Sequence, residues 1–460
     1  MTGPSGQASG PSVVIVGGGL AGSEAAWQAA RLGARVVLYE MRPARLTEAH
    51  RTGYLAELVC SNSLKSESLD NANGLLKLEL EMLGSLLAKA AQQARVPAGS
   101  GLCVDRKAFA AAVTAAVEAH PNVAVVREEI VEVPRSGVAV LAPGPLASAP
   151  LAESLEALVG SPSLFFYDAV SPIVEADSLD MSVAFVSSRY GKGESAYVNL
   201  PLDREAYLTL LRDLEEASLL PRREFEEPRF FSACMPIEEV ARLGRETLAH
   251  GCMKPVGLVD PRTGKMPHAV VQLRPENAQR SLFGMVGFQT RMRHGDQERV
   301  LRKLPGMGRA RFARLGSIHR NTYISAPAVV TAALEHRSRR GLFFAGQITG
   351  GEGYMAAVAT GLVAGINAAR AASGESSVEL PAETMIGGLT RYISGAPAAD
   401  FKPMNPSFGL VPPLPVRVRD RRRRNLLLSA RAVEALEAWI GGVGLGVEPP
   451  VKVKHSGVVS

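Results

Sequence analysis

The sequence predicts an α/β fold: a nucleotide-binding type of domain that the chain begins, leaves for an inserted α+β domain, and then rejoins. Three observations carry this. A β-branched run, Val13-Val14-Ile15-Val16, passes through Gly17-Gly18-Gly19 into an alanine-rich helical stretch from Leu20 to about Leu32. After Gly33, Arg35-Val36-Val37-Leu38-Tyr39-Glu40 reads as a second strand, so a strand–turn–helix–strand unit closes within about 30 residues. Between about 172 and 321 that rhythm gives way to short alternating runs, many prolines and scattered arginines. Leu342-Phe343-Phe344-Ala345-Gly346 then restores a buried strand, followed by a glycine-rich turn and a long alanine/glycine helix.

These features divide the chain into a polar tail over 1–11, a first part of the nucleotide-binding domain over 12–171, the insert over 172–325, and a return segment with C-terminal helices over 326–460. Within the first part, leucines on one broad face predict a helix over 75–94 and alanines another over 109–119. Short strands follow at 123–126 and 139–141, the second ending in the turn Pro143-Gly144-Pro145.

Composition narrows the class. Hydrophobic residues make up 46% and charged residues 21% of 460, ordinary for a globular protein. No apolar run approaches the roughly 20 residues of a membrane helix, and 1–11 has neither the basic nor the apolar part of a signal peptide. A cytoplasmic protein is expected. The four cysteines, Cys60, Cys103, Cys234 and Cys252, are spread too widely for a disulfide framework or a metal spacing, so no metal is expected. A net charge of +6 permits a polyanionic partner.

The first chemical motif is Gly17-x-Gly19-x-x-Gly22 with Glu40 ending the next strand. Gly17 allows the tight turn, Gly19 lets the backbone approach a pyrophosphate, and Gly22 permits close helix–strand packing. Gly18, Leu20 and Ala21 complete the turn, and Glu40 is placed to accept from ribose hydroxyls. The second is Ala345-Gly346-Gln347-Ile348-Thr349-Gly350-Gly351-Glu352-Gly353-Tyr354, between a strand and a helix. Two glycine-rich turns on one chain favour FAD, held along its whole length, over NAD. The fold is then a Rossmann-like FAD-binding domain of the glutathione-reductase type with an inserted α+β domain.

Two cysteines are candidates for chemistry. Cys234 precedes Met235-Pro236-Ile237-Glu238-Glu239, a helix start that favours a thiolate, although the two acids oppose this. Cys60 ends an apolar run and enters the turn-like Ser61-Asn62-Ser63. Cys103 and Cys252 read as buried filler. Two basic groups, one of Arg337, Arg339 and Arg340 and one of Arg417, Arg419 and the four arginines 421–424, are either solvated faces or phosphate contacts.

Together these segments resemble the folate- and FAD-dependent tRNA uracil-5-methyltransferases, the TrmFO family. The resemblance runs over nearly the whole chain. It includes the glycine turn with Tyr39-Glu40-Met41-Arg42-Pro43, the run from Ala56 to Lys65 around Cys60, Val104-Asp105-Arg106, and Cys234-Met235-Pro236-Ile237-Glu238. It continues in Met253-Lys254-Pro255-Val256-Gly257, Val270-Val271-Gln272-Leu273-Arg274, Val286-Gly287-Phe288-Gln289-Thr290, His319-Arg320-Asn321-Thr322 and Phe401-Lys402-Pro403-Met404-Asn405.

The resemblance implies transfer of the one-carbon unit of 5,10-methylenetetrahydrofolate to C5 of a uridine in the tRNA T-loop, with FAD as cofactor and NAD(P)H as reductant. It implies that Cys60 and Cys234 are the two functional thiols: one adds to uracil C6, the other serves the C5 proton or protects the flavin. Arg42 joins the cofactor residues, and Lys254, Arg274, His319 and Asn321 are candidates for the folate. The expected partner is tRNA, with no DNA or membrane, and the expected state a monomer or weak homodimer. The same reaction on a ribosomal RNA uridine and a non-methylating FAD-containing RNA chaperone are the alternatives. The chain departs from the family pattern at Pro143, Leu200, Ser232-Ala233, His294, Gly351 and Met355-Ala356-Ala357.

Overall fold

The computed structural model describes residues 12–99, 101–160, 164–191, 194–220, 235–398 and 401–444, and for 164–168, 319 and 320 the backbone alone. The expected tail over 1–11 lies outside the described residues.

The nucleotide-binding unit forms as the sequence predicts. Strand Ser12–Val16 lies between Arg35–Tyr39 and Val138–Leu141, all parallel, with Leu342–Phe344 and Val123–Val126 completing a five-stranded parallel sheet. The chain leaves this sheet after Leu141 and returns to it at Leu342, which puts the last strand beside the one it left.

Helix Leu20–Arg31 buries an alanine stripe, and helix Tyr354–Ala372 packs onto it. The two approach closely because residues four apart on each are small. A Cβ on Gly361 would lie 2.2 Å from the Ala21 carbonyl oxygen, and one on Gly365 2.5 Å from that of Ala25. By length and composition, helix Tyr354–Ala372 (mean hydropathy 1.3) could cross a membrane, which corrects the expectation that no apolar run comes near that length. Its apolar window is 83% buried inside the protein, so its hydropathy is that of a core helix.

The helix expected over 75–94 is two helices, Ala72–Met82 and Leu86–Gln93. Gly84 at φ +72° breaks it, and Ser85 caps the second piece by accepting from the Ala88 N–H. The helix expected over 109–119 starts earlier, at Arg106, because Asp105 caps it through the Ala108 N–H.

The middle of the chain builds a six-stranded antiparallel sheet in the order Phe185–Val186, Val198–Leu202, Ala269–Pro275, Leu282–Met285, Ile173–Glu175, Phe312–Arg314. Helices Arg204–Glu216 and His294–Leu301 contribute to its separate core, in which Leu200, Leu202, Tyr207, Leu214, Val271 and Phe288 are fully buried. A two-stranded ribbon, Leu164–Val170 with Ser317–Tyr323, carries the chain out and back.

Candidate active site

A cavity of about 310 Å³ lies where the parallel sheet, the two glycine turns and the insert meet. One wall is the first glycine turn. Gly17 has φ +100°, and a Cβ there would sit 2.3 Å from the Ala142 carbonyl oxygen; a Cβ on Gly22 would sit 1.7 Å from that of Gly17. Gly19 meets nothing within 4 Å on its Cβ side and, with Leu20 and Ala21, lines the cavity at the positive end of helix Leu20–Arg31. Backbone at such a helix start fits a pyrophosphate.

The acid expected to meet a ribose is held by the protein itself. Glu40 accepts from the N–H of Gly18 at 2.9 Å and from Arg42 three times: backbone N–H at 2.9 Å, Nε at 2.8 Å and Nη2 at 2.9 Å. Burial pushes this carboxyl up, but the Arg42 hydrogen bonds and charge, with the Gly18 N–H, bring it below the usual value. Both partners are nearly inaccessible, Glu40 5% and Arg42 2% exposed, yet both border the cavity.

The late turn supplies the second wall. Gly346, Gly350 and Gly353 all have positive φ, and a Cβ on Gly350 would lie 2.5 Å from the Phe401 ring. Gly346 is anchored by donating to Thr360 Oγ1 at 2.8 Å, and Gln347 donates to Glu352 at 2.8 Å. Gly346, Gln347, Glu352, Gly353 and Tyr354 line the cavity, so two helix starts, Leu20 and Tyr354, open on the same space. Gly350 and Gly351 lie behind it, Gly351 bridging Met404.

Cys60 lies on the cavity wall in a segment held at nearly every residue. Tyr354 Oη accepts from the Cys60 N–H at 2.8 Å and the Ser61 N–H at 3.0 Å; burial and the nearby Cys60 push that phenol above its ordinary range. The Cys60 carbonyl accepts from two guanidinium groups, Arg106 Nη2 at 3.2 Å and Arg314 Nη2 at 3.1 Å. Arg106 also donates to the Leu58 carbonyl at 3.2 Å and to Glu276 at 2.8 Å, and Arg314 to the Val59 carbonyl at 3.0 Å. Burial, with Arg106 alongside, lowers Arg314 to about 10. Asn62, fully buried, accepts from Arg274 Nε at 2.8 Å and donates to the carbonyls of Val104 and Pro275.

The other expected residues separate. Asn321 is 3% exposed and borders the cavity. Arg274 stands behind the Cys60 segment, bound to Asn62 and 3.6 Å from Glu276. Lys254 is exposed in the turn after helix Thr247–His250, away from the cavity lining. The side chain of His319 and all of Cys234 lie outside the described residues. The segment after Cys234 starts its helix at Ile237, one residue later than expected, with Pro236 as the cap. Ile237 donates to the Gln289 carbonyl at 2.7 Å, and Gln289 borders the cavity. The buried Glu238, raised by desolvation, accepts from the Arg291 N–H and Thr290 Oγ1. Burial raises the Cys103 thiol and pushes that of Cys252 up to about 11, which suits inert filler. Among the described residues no group of three or more His, Cys, Asp or Glu is placed to hold a metal.

Reading the sequence did not single out Arg106, Arg314 or Glu276 as site residues. A lone arginine in a strand or at a helix start carries no local signal, and only the fold brings these onto Cys60.

Comparison with known proteins gives the family. The family described as Glucose inhibited division protein A matches residues 12–376. The Methylenetetrahydrofolate--tRNA-(uracil-5-)-methyltransferase TrmFO of Aquifex aeolicus is 52% identical over 441 residues, 96% of this chain and 99% of that one. Its namesake from Symbiobacterium thermophilum is 53% identical over 436 residues, 94% of this chain and 98% of that one. The chain belongs to the TrmFO family. Among solved structures, Aquifex aeolicus GidA (form II crystal) superposes with a TM-score of 0.69 at 18% identity, over 94% of this chain and 73% of that one, a likeness of fold.

Against the TrmFO pattern, the departures fall in different places. Leu200 is a fully buried core residue of the insert and His294 is exposed at a helix start. Pro143 and Met355-Ala356-Ala357 border the cavity, whereas Ser232 and Ala233 lie outside the described residues.

Proposed function

We propose that this chain is a cytoplasmic enzyme that methylates C5 of a uridine in the tRNA T-loop, taking the carbon from 5,10-methylenetetrahydrofolate. The observation that carries the reading is the meeting of the two glycine turns and the Cys60 segment on one cavity, in a chain half identical to named TrmFO enzymes over almost its full length. The residues fit FAD: an open backbone at Gly19, a second helix start at Tyr354, and the Glu40–Arg42 pair beside the first turn. When bound and reduced by NAD(P)H, the flavin would supply the two electrons that turn a methylene into a methyl, returning to its oxidised form.

The protein's own part is thiol chemistry and placement. Uracil C5 becomes a nucleophile when a thiolate adds to C6: the sulfur–carbon bond forms, and the electron pair moves to C5, which attacks the one-carbon unit. Loss of the C5 proton and expulsion of the thiolate restore the ring. Cys60 and Cys234 share these tasks. Arg106, Arg314 and Tyr354 fix the Cys60 backbone and so place the base of the thiol side chain on the cavity wall. Asn321 borders the same space as a contact for folate or base.

The test is an assay with FAD-loaded protein, unmodified tRNA transcript, methylenetetrahydrofolate labelled in the transferred carbon, and NADPH. Label in T-loop uridine is expected. No label, with FAD bound and the Aquifex aeolicus enzyme active in parallel, overturns the reading.

A further inference from the structure

We propose that the arginine cluster at the start of helix Arg421–Val443 is the surface on which the phosphate backbone of the substrate RNA docks, beside the mouth of the catalytic cavity. This rests on the reading above that the substrate is a structured RNA.

Between 417 and 424 the chain has six arginines and one aspartate, and all six arginines are exposed. The aspartate, Asp420, is used as the helix cap, accepting from the Arg423 N–H at 2.6 Å. Among the described residues the cluster makes one ion pair, Arg422 to Asp70 at 3.4 Å. Folding does not call for this charge. The helix is anchored by its opposite face, through Asn425, Leu428, Ser429, Ala432, Val433 and Leu436. Its first turn holds four consecutive cations and no acid, at the positive end of the helix dipole, where like charges also repel each other. An arrangement unfavourable to the helix and idle in its packing is what an anionic partner requires.

The second basic group behaves differently. Arg337 donates to the carbonyls of Pro327 and Ser394, and Arg339 to that of Pro134, so these guanidinium groups hold loops together. In this group two of the three side chains are spent on the fold, whereas in the cluster over 417–424 only the Arg422 side chain has a protein partner among the described residues.

Position selects the ligand. Asn425 donates to the Asp70 carbonyl at 2.9 Å and Ser429 to that of Leu69 at 2.7 Å, which fastens the cluster to 69–70. On either side of that point Lys65 and Asn73 border the cavity, and Lys65 donates to Asn405, another lining residue, at 2.6 Å. A phosphate backbone lying on the arginines therefore runs past the cavity mouth, where a base turned out of its stack can enter. Guanidinium groups suit this task because they grip phosphates in a bidentate manner.

The experiment uses the full-length, FAD-loaded chain and a triple variant, Arg421→Gln, Arg423→Gln and Arg424→Gln, leaving Arg422 on Asp70. Affinity for unmodified tRNA transcript is measured against salt concentration, with flavin content and melting temperature recorded on the same samples. The slope of log affinity against log salt is expected to become shallower by about 2 to 3, one unit or slightly less per lost phosphate contact. Flavin content is expected to be retained and the melting temperature unchanged or raised, which a structural role for these arginines would not produce. Equal slopes in wild type and variant overturn the proposal, as does a variant that keeps its RNA affinity but loses binding to anionic lipid vesicles. A wild-type chain that fails to bind the transcript overturns the RNA reading as well.

Discussion

The first glycine turn and the Cys60 segment both line one cavity, but they are held by different parts of the chain. The turn is held within the parallel-sheet domain: Gly17 and Gly22 fit against each other, Gly17 closes on the Ala142 carbonyl, Gly18 accepts from the Ala56 N–H, and Glu40, one strand later, returns to the Gly18 N–H. The Cys60 segment owes its shape to distant parts of the chain. Its N–H meets a tyrosine 294 residues away, and its carbonyl meets arginines 46 and 254 residues away. The contacts of the glycine turn lie outside the insert, whereas the Cys60 segment also draws on the insert through Arg314. Binding of the cofactor and delivery of the thiol are therefore separable functions, and substitutions should divide them.

The largest effect is expected at the thiol. Cys60→Ala should lower methyl transfer by about 10³-fold or more, the scale on which removing a covalent nucleophile acts, with flavin content unchanged by absorbance. Gly22→Ala attacks the other wall. Its Cβ would lie 1.7 Å from backbone oxygen, so the turn must move. Overpacking of ~3 kcal/mol corresponds to about 100-fold weaker flavin binding, readable by equilibrium dialysis.

Arg314→Met removes one of the two guanidinium groups on the Cys60 carbonyl and the hold on Val59. Misplacement of the thiol by an ångström costs up to about 100-fold in the chemical step. A single-turnover assay should show this fall with flavin affinity intact.

A smaller effect concerns the packing of two buried helices. Glu79, on helix Ala72–Met82, accepts from the N–H groups of Met385 and Ile386 at the start of helix Met385–Gly395. Burial lifts its carboxyl to about 8 from 4.5, against the pull of those two donors. In that interval the folded chain holds a proton that the unfolded chain has released, so its contribution to stability falls as pH rises from about 4.5 to about 8. Glu79→Gln should flatten the dependence, by at most ~1.4 kcal/mol per pH unit, in urea denaturation at pH 5 to 8. An unchanged slope would show that Glu79 is already ionised in the folded chain.

What could be read from sequence follows the same division. The parallel unit, the glycine turn and Glu40 were legible because spacing within about 30 residues determines them. The return strand at Leu342 and the late turn were legible as composition. The break at Gly84-Ser85 was hidden by leucines that continue the helical pattern through it. The Arg42 clamp on Glu40 was also hidden, since the motif describes an acid and not its partner. Arg106, Arg314 and Asn62 were out of reach, because their roles depend on contacts between segments that only the finished fold brings together. The two basic groups looked alike in sequence, and only the contacts of Arg337 and Arg339 separate them from 417–424.

The most direct test of the account is to measure flavin occupancy and single-turnover methyl transfer on the same preparations of Gly22→Ala and Arg314→Met. The expected result is a crossed pattern: Gly22→Ala loses flavin and recovers transfer when FAD is supplied in excess, while Arg314→Met keeps its flavin and remains slow. If Arg314→Met transfers methyl at the wild-type rate, or loses flavin together with activity, the two walls are not separable and the account is wrong.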